Sequence, residues 1–141
     1  MVPLSGLPCS LRIRRGRWKR KARENLEAAE RLLGGDPCPN AAASRAYYAA
    51  YQACWEMLRR RGIEPPEVRP EKRYFPHREL PGLTLRHGVL DTEAASDLRF
   101  LETARVSADY DDVGSLDVAT ARTAIECAAG IVRGLGDAEN E

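Results

Sequence analysis

Aromatic residues make up only 6% of this 141-residue chain, and histidine occurs just twice, at His77 and His87. No apolar run approaches the ~20 residues a transmembrane helix requires. The first ten residues are interrupted by Pro3, Gly6 and Pro8, which leaves no room for the apolar stretch of a secretory signal. Cys9, Cys38, Cys54 and Cys127 lie far apart with no C-x-x-C pair, so zinc-ligand spacing is lacking. They read as reduced thiols of a cytoplasmic protein. No Gly-rich loop joins a strand to a helix, which excludes a P-loop or dinucleotide site. Motifs for a serine nucleophile are missing too. No metal, cofactor or membrane association is expected.

What is present favours packed helices. The length suits one domain, and the composition is rich in Ala and Arg, both strong helix formers. Charge is divided along the chain. Residues 1–78 carry 17 Lys/Arg against 8 Asp/Glu, whereas residues 79–141 carry 5 against 13. The basic excess peaks between Arg12 and Arg23, where eight of twelve residues are Lys or Arg. Such a run suits phosphate neutralisation on RNA, and equally suits a solvated tail or contact with an acidic partner.

Periodicity divides the chain into four main helices. Residues 1–16 read as an irregular basic leader, residues 17–136 as the helical domain, and residues 137–141 as an acidic tail. Trp18, Ala22, Leu26, Ala29 and Leu33 form the stripe of a first helix, closed by Gly34-Gly35. Asn40 suits the N-cap of a second helix over about 41–61, with Gly62 as its stop. On this helix Ala43, Tyr47, Tyr51, Cys54 and Leu58 form one stripe, and Ser44, Tyr48, Gln52 and Trp55 a semi-polar aromatic face beside it. Tyr47 and Tyr51 read as core. A connector over residues 63–90 follows, containing Pro65, Pro66, Pro70, Pro76 and Pro81, with a short helical turn expected near His77–Leu80. Thr92 is the expected cap of the third helix, whose stripe of Ala94, Leu98, Leu101 and Ala108 includes Arg105. The fourth helix, starting at Ser115 or Asp117, carries Val118, Ala121, Ile125, Ala128, Val132 and Leu135. The expected fold is all-α, an up-and-down bundle of four main helices with a long Pro-rich connector between the second and third.

Two segments carry a more specific signal, Ser44-Arg-Ala-Tyr-Tyr-Ala-Ala-Tyr51 and Arg105-Val-Ser-Ala-Asp-Tyr110. Together with a central histidine, His77, they resemble the HEPN superfamily, and most closely its small stand-alone bacterial and archaeal members. The resemblance spans about residues 18–135. It implies a helical bundle that commonly forms a homodimer. It also implies kinship with RNA-cleaving toxins and with the partners of minimal nucleotidyltransferases in toxin–antitoxin-like pairs. RNA- or nucleotide-binding follows as the implied function, with metal-independent RNA cleavage as a further activity of such proteins.

Active members typically carry an arginine and, four to six residues on, a histidine. The arginine stabilises developing phosphorane charge and the histidine serves as base. Here Arg105 is present, but Tyr110 stands where the histidine would be. An unperturbed phenol titrates near pH 10 and is a poor base at neutrality. Tyr110 is left to donate a hydrogen bond, or to accept a nucleotidyl group from a partner transferase. The expected centre is Arg105, which would bind phosphate, with Asp109 orienting it and Tyr110 beside them. Ser44, Arg45, Tyr48 and His77 are expected to face the ligand or RNA. Two plainer readings stand beside this. Arg105 and Asp109, four apart, suit an intrahelical ion pair, and the whole chain suits a non-catalytic assembly module. Asp109, Asp111 and Asp112 read as helix-end and turn residues rather than as metal ligands.

Overall fold

The computed structural model describes residues 16–110, 114 and 116–136. It shows an all-α fold, with helices α1 (Arg17–Leu32), α2 (Pro39–Arg60), α3 (Leu80–Arg86), α4 (Thr92–Tyr110) and α5 (Val118–Arg133). The expected leader, apart from Gly16, and the acidic tail lie outside the described residues, as do Cys9, Asp111, Asp112 and Ser115. Among the described residues, no helix is long and apolar enough to cross a membrane.

α2 is the central helix and packs against α1, α4 and α5. Its sequence explains this. Ala42, Ala43, Ala46, Ala49, Ala50 and Ala53 are all fully buried. A methyl side chain lets neighbouring helices approach closely on more than one side, and alanine gives up no side-chain rotamer freedom in doing so. Leu58, Cys54, Leu98, Leu101 and Ala128 complete the core. Burial raises the Cys54 thiol pKa to about 12, so it packs as a small apolar group.

The helix ends show which local signals operate. Gly62 adopts φ 78°, and Ile63 N–H and Gly62 N–H donate to the carbonyls of Leu58 and Arg59. This closes α2 by the expected glycine stop. Its start differs from expectation, because Pro39 already occupies the first helical turn and Cys38 is the N-cap. Proline is suited to that position, where its missing N–H costs nothing. Asn40 is thereby freed, and its Oδ1 accepts from Leu116 N–H at 2.9 Å, tying the approach to α5 onto the start of α2. At α4 the capping carboxylate is Asp91, which accepts from Ala94 N–H at 2.8 Å, and Thr92 lies inside the helix. Asp117 caps α5 through Thr120 N–H at 2.7 Å, and these hydrogen bonds hold its carboxyl below the usual range. Val118 departs from its expected stripe and is exposed, while Ala121, Ile125, Ala128, Val132 and Leu135 are buried.

The connector has more structure than its prolines suggest. Glu67–Arg69 and Lys72–Arg73 form a small antiparallel hairpin, β1–β2, with Glu67 opposite Arg73 and Arg69 opposite Lys72. Every residue in it is exposed, so no alternation of apolar and polar positions marks it in the sequence. The connector is then pinned at Phe75, which is fully buried and whose carbonyl accepts from the Tyr51 hydroxyl at 2.8 Å. Residues 77–79 form a turn that leads into α3, so the helix begins where the expected turn ends. Buried Leu80 and Thr84 hold α3 down, with Thr84 Oγ1 donating to its own preceding carbonyls.

Candidate functional site

The segment after Phe75 must cross the aromatic face of α2, and this crossing builds the site. Tyr47, Tyr48 and Tyr51 lie at positions that share one side of a 3.6-residue helix. His77 sits against all three, with ring centroids 5.4, 6.1 and 4.6 Å away. The Tyr47 hydroxyl and His77 Nδ1 are hydrogen-bonded. α4 supplies Arg105, which lies in the apolar stripe with Leu98 and Leu101. It is accordingly buried, at 7% exposure. Its guanidinium lies 5.1 Å from the Tyr47 ring centre and 5.8 Å from those of Tyr48 and Tyr110. A cation over aromatic faces is favourable, and more so where water is excluded.

The charge of Arg105 is only partly answered. Asp109, one turn on, lies 3.8 Å from its terminal nitrogen, and Ser44 Oγ donates to the same carboxylate at 3.3 Å. Arg105 Nε is buried and has no hydrogen-bond partner among the described residues. An unmet buried donor costs free energy, and a ligand oxygen is one way to satisfy it. Tyr110 contributes its ring to the cluster yet is 74% exposed, so its hydroxyl end is open to the surroundings.

The electrostatics keep Tyr47 and His77 uncharged. Burial raises the Tyr47 phenol pKa, Glu102 adds to the rise, and Arg105 opposes it. Burial also lowers the pKa of His77, with Arg105 adding to the fall and Glu102 opposing it. At neutral pH the pair is therefore phenol and neutral imidazole. With both groups neutral, either imidazole tautomer satisfies the hydrogen bond between the Tyr47 hydroxyl and Nδ1. The Arg105 guanidinium thus lies beside the rings of Tyr47, Tyr48 and Tyr110, and the His77 imidazole lies against Tyr47 and Tyr48.

The structure brings together Ser44, Tyr48, His77, Arg105, Asp109 and Tyr110. It does not bring Arg45 to them. Arg45 is exposed on the adjoining side of α2 and donates to Asn25 Oδ1 on α1 at 2.9 Å. One residue of helix rotates a side chain by about 100°, so Ser44 and Arg45 cannot both face α4. Two participants were not expected. Tyr47 is core, as its stripe position implies, but its hydroxyl also positions His77. Glu102 acts electrostatically on both Tyr47 and His77. Its place three residues before Arg105, on a neighbouring part of the same helix face, is the only local signal for it. Among the described residues no group of three or more His, Cys, Asp or Glu side chains is arranged to hold a metal ion.

A family model described as the HEPN domain matches residues 16–137. No curated protein matches the chain.

Proposed function

The chain belongs to the HEPN domain family, and on that premise we propose that it binds RNA or a nucleotide at the Arg105 centre, as the toxin-like partner of a minimal nucleotidyltransferase. The observation that carries the reading is the buried Arg105 guanidinium, ringed by Tyr47, Tyr48 and Tyr110 and left with an unpartnered Nε. A phosphate oxygen supplies both the missing acceptor and the missing negative charge. In its Nε2–H tautomer His77 would add a second donor, and the Tyr48 ring would add a surface for a base.

Tyr110 supports the pairing with a transferase. Its hydroxyl is exposed next to Arg105. A transferase acting there would join a nucleoside monophosphate to the phenolic oxygen and release pyrophosphate from the triphosphate donor. The new phosphodiester anion would then compete with RNA for Arg105. Homodimer formation in the cytoplasm belongs to the same reading. Exposed Phe100 and Val106 on α4 supply apolar surface for a second copy. RNA cleavage without a metal would need a base for the ribose 2′-OH, and His77 is the one imidazole in the cluster.

The test compares wild type with Arg105→Ala and Arg105→Lys. The measurements are RNA binding, growth arrest on expression in a bacterial host, and the integrity of cellular RNA on a gel. Loss of binding in folded Arg105→Ala, with partial retention in Arg105→Lys, is expected. Unchanged binding in both variants would refute the reading. A non-catalytic assembly module is the second reading, favoured by the pairing of Arg105 with Asp109 and its burial against tyrosine rings. Loss of fold in both variants, with no RNA binding by wild type, would support it.

A further inference from the structure

The aromatic face of α2 continues beyond the Arg105 centre. Tyr51 makes an edge contact with Trp55 at 5.8 Å, and Trp55 stacks on Trp18 of α1, with ring centres 4.3 Å apart and planes inclined by 20°. These are the only two tryptophans of the chain. Two cations from the first turns of α1 lie against Trp18, the Arg17 guanidinium at 5.4 Å and Lys21 Nζ at 5.0 Å.

Lys21 also belongs to an open groove between α1 and α2, lined with Glu24, Asn25, Arg31, Arg45 and Gln52. Its lining therefore includes three cations and one carboxylate, with Arg31 also 4.0 Å from Glu27 on the same helix. Its floor is a chain of polar groups, in which Arg45 donates to Asn25 and Asn25 donates to Gln52 at 2.8 Å. The Gln52 oxygen is taken up by Asn25, and the Gln52 amide nitrogen has no part in that bond. On α2, Arg45, Tyr48, Gln52 and Trp55 follow one another at spacings of three, four and three, so they form one continuous face. Tyr48 is the junction, because its ring also lies under Arg105.

We propose that this groove is the path of a single RNA strand leading to Arg105. Phosphates lie against Lys21, Arg31 and Arg45, and base edges meet the amides of Asn25 and Gln52. The inference rests on the RNA reading of the Arg105 centre. It also gives Arg45 a role on the side of α2 where the fold has placed it. Charge complementarity selects a polyanion, and the amides select a ligand with exposed hydrogen-bonding edges. Helices pack with axes about 8–10 Å apart, so the groove between them suits one strand. A duplex, with its bases turned inward, would offer phosphates alone. An acidic protein surface would meet the cations through its carboxylates alone.

The experiment titrates the full chain with a short fluorescein-labelled single-stranded oligouridylate, following anisotropy and tryptophan emission at several salt concentrations. It compares wild type, Lys21→Glu/Arg45→Glu and Arg105→Ala, with circular dichroism and melting curves as controls for folding. Because both tryptophans are in the Trp18–Trp55 stack, emission reports engagement of that end of the path directly. The expected result is binding by wild type with a change in emission. In the folded double variant, affinity should fall about tenfold or more and salt dependence should become shallower. Equal affinity for wild type and the double variant, with loss in Arg105→Ala, would overturn the groove as the path and leave the Arg105 reading standing. Absence of RNA binding by wild type would overturn both. Salt-sensitive self-association that the double variant abolishes, with RNA affinity unchanged, would assign the groove to a second copy and overturn the proposal.

Discussion

α2 presents two cationic regions in opposite physical states. On the α4 side, Arg105 is buried among tyrosine rings, and its surroundings shift the pKa values of Tyr47 and His77. On the α1 side, Arg45 is exposed and makes a hydrogen bond to Asn25 on α1. A buried cation has lost its hydration and must be compensated by everything around it, whereas an exposed one is screened and contributes little to folding. Substitutions on the α4 side therefore mix stability with binding. Substitutions on the α1 side report binding almost alone.

The comparison breaks most severely where the α4 side is held together. Phe75→Ala should cost about 3–5 kcal/mol, because Phe75 is fully buried and fixes the connector that carries His77. Chemical denaturation will show the loss, and a drop below about 1 kcal/mol would mean that the connector is not anchored there. Arg105→Ala follows at roughly 2–3 kcal/mol, since it empties a site among three rings and leaves Asp109 unpaired. Melting curves should place its midpoint several degrees below wild type. Tyr47→Phe should cost about 1 kcal/mol by removing the hydroxyl hydrogen-bonded to His77 Nδ1. It should also weaken RNA affinity, since the imidazole loses its fixed orientation.

A pH titration sharpens the contrast further. The folded-state pKa of His77 lies below its ordinary value, so the unfolded chain binds this proton more readily. The contribution of His77 to stability is therefore complete above the unfolded pKa of about 6.5 and declines as pH falls below it. Melting temperatures should drop between about pH 7.5 and about pH 5.5, and His77→Gln should flatten that slope. An unchanged slope would show that the imidazole does not feel Arg105 and burial. The smallest effect belongs to Arg45→Ala on the α1 side, which should shift stability by no more than ~0.5 kcal/mol while lowering RNA affinity. A large loss of stability would remove the distinction between the two regions.

Much of this was legible in the residues. Leu98 and Leu101 precede Arg105 at helical spacing, which is why an arginine in that stripe had to be buried. The glycine stop at Gly62 is a local signal and operates as expected, and of the two expected starts of the last helix Asp117 is the capping residue. The HEPN resemblance rested on the segments around Tyr48 and Arg105, and both lie in the cluster. Less legible were Glu102, which no motif marks, and the departure of Arg45, which belongs to the same segment as Ser44 but faces another helix. The β1–β2 hairpin gave no periodic sign because both of its faces are exposed.

Helix periodicity alone determined the four main helices and the inward direction of Tyr47, Leu58 and Arg105, because the 3.6-residue repeat is a property of the backbone and needs no distant partner. Tertiary structure decided what those side chains meet. His77 reaches Tyr47 from 30 positions away, and Ser44 reaches Asp109 from 65. Such meetings depend on how burial of Phe75 and the alanine faces of α2 close the chain on itself. Hydrophobic burial is non-directional and cooperative, so its outcome is settled only when all the helices have packed.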